Sequence, residues 1–183
     1  IADEWVPIRP GSDGALLLAI IHEIIAQGLY DRDFLVRYTN AGQLVNLDGK
    51  SDEFGMFLRT EVPEEEGCFD PQNKLWWDRL THKAVVTHAE GADPYLLGEF
   101  ELPDGTKVKP SFQLLVERVK DYTPDWASAI TGVPVETIRR LAYEMGITAR
   151  DQKIELPIAW TDIWGKDHET VTGNPVAFHA MRG

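Results

Sequence analysis

The fold is decided by residues 10–28, which read PGSDGALLLAIIHEIIAQG. Ser12 is a good helix cap, Asp13 suits the positive end of the helix dipole, and Gly28 is typical of the position that follows a helix. Apolar residues recur at helical spacing and surround the first turns almost completely, so the pattern predicts a buried helix. Because an extended segment and a glycine turn precede this helix, residues 1–28 are interpreted as a βα unit of an α/β domain.

Further helices and one strand are predicted on either side of an irregular middle region. The predicted helices, bounded by cap, proline or glycine signals, cover residues 32–38, 112–119, 124–131 and 133–145. Gly146 is expected to end the last one. Residues 153–160, KIELPIAW, predict a strand in which Pro157 is expected at an edge or a bulge, and a polar loop over residues 161–172 follows. These elements predict a Rossmann-like three-layer α/β segment.

Residues 42–109 are predicted to be an irregular insertion with a little β structure. Short apolar runs are scattered there among Gly, Pro, Asp and Glu residues. Strands are expected at residues 80–88 and in a hairpin over residues 98–108. The pair Trp76-Trp77 is expected to bury part of the surface. The whole chain, residues 1–183, is thus interpreted as part of one α/β domain that carries this insertion.

The charge and hydropathy of the chain argue against two classes of protein. The net charge is −12, from 18 basic and 30 acidic residues, and no basic run is longer than two residues. Nucleic-acid-binding proteins usually carry a basic stripe, so no nucleic-acid partner is expected. The longest apolar stretch, residues 15–21, has seven residues. That is far fewer than the ~20 residues that a membrane-spanning helix needs.

Few side chains of the chain are suited to holding a metal. The single cysteine, Cys68, excludes an internal disulfide and any four-cysteine zinc or iron–sulfur site within the chain. No two of the five histidines are spaced i, i+4 in a helix, and there is no H-E-x-x-H motif. A metal site made from this chain alone is therefore not expected.

Two turns at predicted strand ends have the composition of ligand-binding sites. Pro10-Gly11-Ser12-Asp13 opens a helix, whose free N–H groups and positive dipole end suit a phosphate, while Asp13 can accept hydrogen bonds from a guanine or a ribose. An ordinary capped turn has the same spacing and is the commoner outcome. Residues 160–168, WTDIWGKDH, are either a second ligand loop or a solvated connection. Turns at the carboxyl ends of strands can line one crevice.

Three segments, in this order along the chain, carry a family resemblance. They are ADEWVPIRPGSDGALLLAIIHEIIAQGLYDRDFL at residues 2–35, YTPDWASAITGVPVETIRRLAYEMG at 122–146, and NPVAFHAMRG at 174–183. Their combination resembles the molybdopterin oxidoreductases of the dimethyl sulfoxide reductase family. The middle region resembles the longer insertion of the branch that includes polysulfide-, thiosulfate- and sulfite-converting enzymes.

The resemblance implies a set of cofactor-binding residues in this chain. They are Gly11, Ser12, Asp13, Trp160, Thr161, His179 and Arg182. Family members hold two molybdopterin guanine dinucleotides around one molybdenum or tungsten, and the first three residues match positions that contact the guanosine diphosphate part of one of them. The next two match a turn that touches a cofactor near the metal, although the glycine and glutamine of that turn are missing here. The last two are placed near the pterin or the substrate channel.

The resemblance also implies a larger assembly. No residue matches the family's cluster-binding cysteines or the protein ligand of the metal, so no catalytic or metal-binding residue is assigned, and the iron–sulfur cluster is expected outside this chain. The chain is interpreted as an internal segment of a longer catalytic subunit, inactive alone. The parent would transfer an oxygen atom or two electrons to or from an inorganic sulfur compound. Its expected partners are the rest of that subunit, an iron–sulfur electron-transfer subunit and a membrane anchor subunit, on the cytoplasmic or periplasmic side of a membrane.

Two other functions stay open at this point. A non-catalytic structural subunit of a respiratory complex has the same fold, and a side chain that occluded the Gly11-Ser12-Asp13 turn would favour it. A stand-alone nucleotide-binding module would bind a guanine nucleotide with these 183 residues alone.

Overall fold

Helices and short strands both occur throughout the residues that the structure describes. The structure is a computed structural model that describes residues 4–60, 73–87, 89–163 and 165–177. The helices are α1 (Asp13–Ala26), α2 (Arg32–Tyr38), α3 (Ser111–Val119), α4 (Pro124–Thr131) and α5 (Val135–Asp151). The strands are β1 (Leu44–Asn46), β2 (Leu75–Trp77), β3 (Ala84–Val86), β4 (Phe100–Glu101), β5 (Lys107–Pro110), β6 (Ile154–Leu156), β7 (Trp160–Thr161), β8 (Asp167–His168) and β9 (Val171–Gly173). The predicted α/β class, with a little β structure in the middle of the chain, is confirmed.

The chain divides into two compact units, one containing residues 1–31 and 119–183 and the other containing residues 32–118. In the first unit α1, α4 and α5 pack together around buried apolar side chains. The fully buried core residues of this unit are Ala19, Ile20, Ala127, Val133, Ile138 and Ala142. Each helix contributes one alanine, and small residues at a contact let helices approach closely. Within the described residues, no helix is long and apolar enough to cross a membrane.

Two antiparallel ribbons follow α5 in the first unit. β6 pairs with β9, and β7 pairs with β8. Pro157 lies between β6 and β7, where the Ile158 N–H donates to the Leu156 carbonyl over 2.8 Å. The strand predicted over residues 153–160 is therefore interrupted at its proline. The prediction of a loop over residues 161–172 is wrong, because that stretch contains β8 and most of β9.

The second unit is built from small antiparallel sheets. β5 lies between β1 and β4, and β2 pairs with β3. The hairpin predicted over residues 98–108 is confirmed as β4 and β5, and Trp76 is buried in β2 with 4% of its surface exposed. The strand predicted over residues 80–88 is wrong for its first half, because residues 79–83 form the turn between β2 and β3.

All the predicted helices are present, but two predictions about the first unit are wrong. α5 runs through Gly146 instead of ending there. A Cβ at Gly146 would lie 2.7 Å from the Cβ of Leu29, so this glycine serves close packing inside the helix. Residues 4–9 form no strand, so the expected βα unit lacks a strand within the described part of the chain.

Candidate functional site

The turn that precedes α1 presents backbone donors instead of a side-chain cap. Gly11 has a φ of +77°, in the left-handed region that glycine adopts without strain. The Ser12 hydroxyl donates to the Arg9 carbonyl over 2.5 Å, and Ser12 makes no side-chain capping hydrogen bond. The prediction that Ser12 caps α1 is therefore wrong. The N–H groups of Asp13 and Gly14, in the first turn of α1, donate no hydrogen bond to a capping side chain.

Arg9 ties this turn to the end of α4. Its backbone N–H donates to the Thr131 carbonyl over 2.9 Å, and its guanidinium donates to the carbonyls of Ala129 at 2.8 Å and Ile130 at 3.1 Å. A cation at this place also meets the negative end of the α4 dipole. Sequence reasoning missed Arg9, because the carbonyls that it binds lie at least 120 residues further along the chain. Its position beside the Pro-Gly turn was the one local signal.

The backbone of the turn is open to an approaching ligand. An added Cβ at Gly11 or at Gly14 would meet no atom within 4 Å, and Asp13 is exposed. Uncapped N–H groups at the positive end of a helix can bind an anion, and a carboxylate can accept hydrogen bonds from a base or a sugar. Because the net charge of −12 repels anions at long range, binding has to come from these local donors.

Trp160 and Thr161 form β7, and their polar atoms are engaged inside the ribbon. The Trp160 Nε1–H donates to the Thr170 carbonyl over 3.0 Å, and the Thr161 hydroxyl donates to the Asp167 carboxylate over 2.7 Å. The rings of Trp160 and His168 stack, with centroids 4.6 Å apart and planes 16° from parallel. Ring contact, more than hydrogen bonding, is therefore what Trp160 can offer to a ligand.

Two histidines of the first unit have defined hydrogen-bond partners. His168 Nε2 lies 3.1 Å from the Asp162 carboxylate, whose other oxygen accepts the Lys166 backbone N–H over 2.9 Å. His22 Nδ1 lies 2.9 Å from the Val119 carbonyl oxygen. The prediction that His22 makes a structural hydrogen bond is confirmed.

The residues predicted as cofactor contacts fall into three groups. Residues 11–13 lie together at the start of α1, and residues 160–161 lie together in β7. His179 and Arg182 lie outside the described residues. Among the side chains that the structure describes, no group of three or more His, Cys, Asp or Glu is placed to hold a metal ion.

No protein-family profile matches the chain. Individual relatives do match it. The chain is 67% identical over 183 residues to a sulfite dehydrogenase subunit of Allochromatium vinosum, which covers 100% of this chain and 19% of that protein. It is 32% identical over 146 residues to dimethyl sulfoxide reductase DmsA of Escherichia coli, covering 80% of this chain and 12% of that protein. It is 25% identical over 182 residues to the arsenate respiratory reductase molybdopterin-containing subunit ArrA of Shewanella sp., covering 100% of this chain and 15% of that protein.

The similarity includes the irregular middle region, since two of these alignments cover the whole chain. The chain spans less than a fifth of the length of each of these three relatives. Over the residues that it spans, the chain belongs to the molybdopterin oxidoreductases of the dimethyl sulfoxide reductase family.

Proposed function

We propose that the turn at residues 10–13 binds the guanosine diphosphate part of a molybdopterin guanine dinucleotide. The observation that carries the proposal is the uncapped start of α1 under open space. The diphosphate would accept hydrogen bonds from the N–H groups of Asp13 and Gly14 and would lie at the positive end of the helix dipole. The missing side chains at Gly11 and Gly14 leave room for it, so the residues present fit the group.

Asp13 is the residue that we assign to recognition of the guanosine. Its side chain is exposed at the first position of α1, beside the donors assigned to the phosphates. A carboxylate accepts hydrogen bonds only, and guanine and ribose both present donors at their edges. Arg9 would act as a positioning residue, because its hydrogen bonds hold the turn against the end of α4.

A second cofactor contact is proposed at β7. The hydrogen-bonding atoms of Trp160 and Thr161 are engaged within the ribbon, so the indole of Trp160 would make van der Waals contact with the cofactor. His179 and Arg182 complete the proposed set near the pterin or the substrate channel.

The parent protein is proposed to be a molybdopterin-dependent oxidoreductase that acts on an inorganic sulfur oxyanion. The similarity to a protein named as part of a sulfite dehydrogenase, over all 183 residues, supports this substrate class. Bound molybdenum or tungsten would supply the redox chemistry, and the residues of this chain would bind and orient the cofactor. The parent is proposed to work with an iron–sulfur subunit and a membrane anchor subunit, which accords with the naming of two relatives as subunits.

The alternative of a non-catalytic structural subunit predicts a side chain over the turn. The open space at Gly11 and Gly14 favours cofactor binding instead.

The test is the substitution Asp13→Ala in the full-length subunit. Loss of a carboxylate from the first helical turn is expected to cost only about 0.3–1 kcal/mol of stability, so folding survives. The content of guanine-containing pterin per polypeptide, measured after acid release, is expected to fall severalfold. The matched control is Asp125→Ala, which removes an exposed carboxylate from the first turn of α4. Unchanged pterin content in Asp13→Ala, or an equal fall in both variants, would refute the assignment.

A further inference from the structure

A row of apolar side chains between residues 154 and 163 is exposed in the first unit. We call this the 154–163 surface, and its members are Ile154, Leu156, Ile158, Trp160 and Ile163. The first four occur at alternate positions and are between 40% and 52% exposed, and Ile163 is 89% exposed. Scattered exposed apolar residues are normal, but a contiguous apolar patch marks an interaction site.

The partner strands cannot cover this surface themselves. In the ribbon register, Ile154 lies opposite Gly173, which has no side chain, and Trp160 lies opposite His168. Only Leu156 has an apolar partner, Val171. Two-stranded ribbons are at best marginally stable in water unless one face packs against other structure. The residues that form the ribbons therefore require an apolar cover for stability.

We propose that the 154–163 surface is buried by an apolar part of the same polypeptide that lies outside these 183 residues. The alignment that covers the whole chain accounts for only 19% of the relative's length, so about four-fifths of such a subunit is available as cover. The net charge of −12 opposes contact with a second copy or with an anionic membrane surface. The inference rests on family membership and exposure, and it is independent of the proposed guanosine site.

The test is hydroxyl-radical footprinting of the full-length subunit, read out residue by residue by mass spectrometry. Trp76 is 4% exposed and provides an internal scale for a protected indole. In the isolated native subunit, the oxidation of Trp160 is expected to be as slow as that of Trp76 and severalfold slower than in the urea-unfolded subunit. Ile163 is expected to be protected in the same way.

Three results would overturn the proposal. In the first, Trp160 is oxidised severalfold faster than Trp76 in the native subunit. In the second, protection appears only at high protein concentration, which would assign the surface to a second copy. In the third, protection appears only after a partner subunit is added. Two substitutions give an independent measurement: Ile158→Asn is expected to lower the thermal midpoint of the full-length subunit, whereas Ile158→Val leaves it nearly unchanged. Equal tolerance of both variants would contradict burial.

Discussion

Gly11 determines the path of the chain into α1, because its φ of +77° lies in the left-handed region. An alanine at this position has free space around it, so its cost is conformational, about 1 kcal/mol. Gly14 also has free space but lies inside the first turn of the helix, where alanine is favoured by up to about 1 kcal/mol. We predict that Gly11→Ala lowers and Gly14→Ala maintains or raises the free energy of unfolding, measured by urea denaturation. A change of the same sign in both variants would show that the turn is not held in this conformation.

Asp78 makes the second unit sensitive to acid. A hydrogen bond from the Thr81 hydroxyl, with a further one from the Asp93 backbone N–H, lowers the pKa of this carboxyl from 3.8 to about 2. A carboxyl with a lowered pKa in the folded state stabilises the protein above its unfolded pKa, and this stability is lost as the pH falls from about 4 towards 2. We predict that the urea midpoint of the second unit falls more steeply over this range in the wild type than in Asp78→Asn. Thr81→Val removes the largest cause of the shift and should bring the loss to higher pH; identical pH profiles for all three proteins would exclude this role.

At the level of the helices, Gly146 joins α5 to the segment that follows α1. Alanine is favoured over glycine inside a helix by about 1 kcal/mol. Here the added methyl group would collide with buried Leu29, and overpacking of this kind costs about 1–3 kcal/mol. We therefore predict that Gly146→Ala destabilises the chain, and that the same substitution in a Leu29→Ala background is neutral or stabilising. A double-mutant cycle of urea denaturation measures the coupling, and equal effects in both backgrounds would exclude the contact.

Helix boundaries that depend on local signals could be predicted from the sequence. Thr123 accepts the Trp126 N–H, and Gly132 ends α4, as their residue types indicate. Boundaries that depend on distant residues could not. Gly146 continues a helix because Leu29 packs against it, and the pairing of β2 with β3 depends on a register that no local pattern specifies. The prediction of a single strand at residues 153–160 did not include the turn that forms at its proline.

For the molecule as a whole, the candidate site could be located from the sequence but not built from it. The residues at 11–13 stand out because they open an apolar helix, and their family resemblance is local. Arg9, which anchors them, depends on carbonyls at the end of α4 that only the folded chain brings near. The 154–163 surface was also hidden, because alternating apolar residues predict a buried strand and do not reveal which structure covers it. Composition bears on the whole molecule in one respect: a net charge of −12 requires local donors for any anionic ligand.

The most direct test of the cofactor assignment is metal and pterin analysis of the full-length native polypeptide. We predict molybdenum or tungsten together with guanine-containing pterin, with the metal and the pterin in constant proportion to the polypeptide through purification. A folded, intact complex that contains neither metal nor pterin would contradict the account. The start of α1 would then be an uncapped helix end without a ligand.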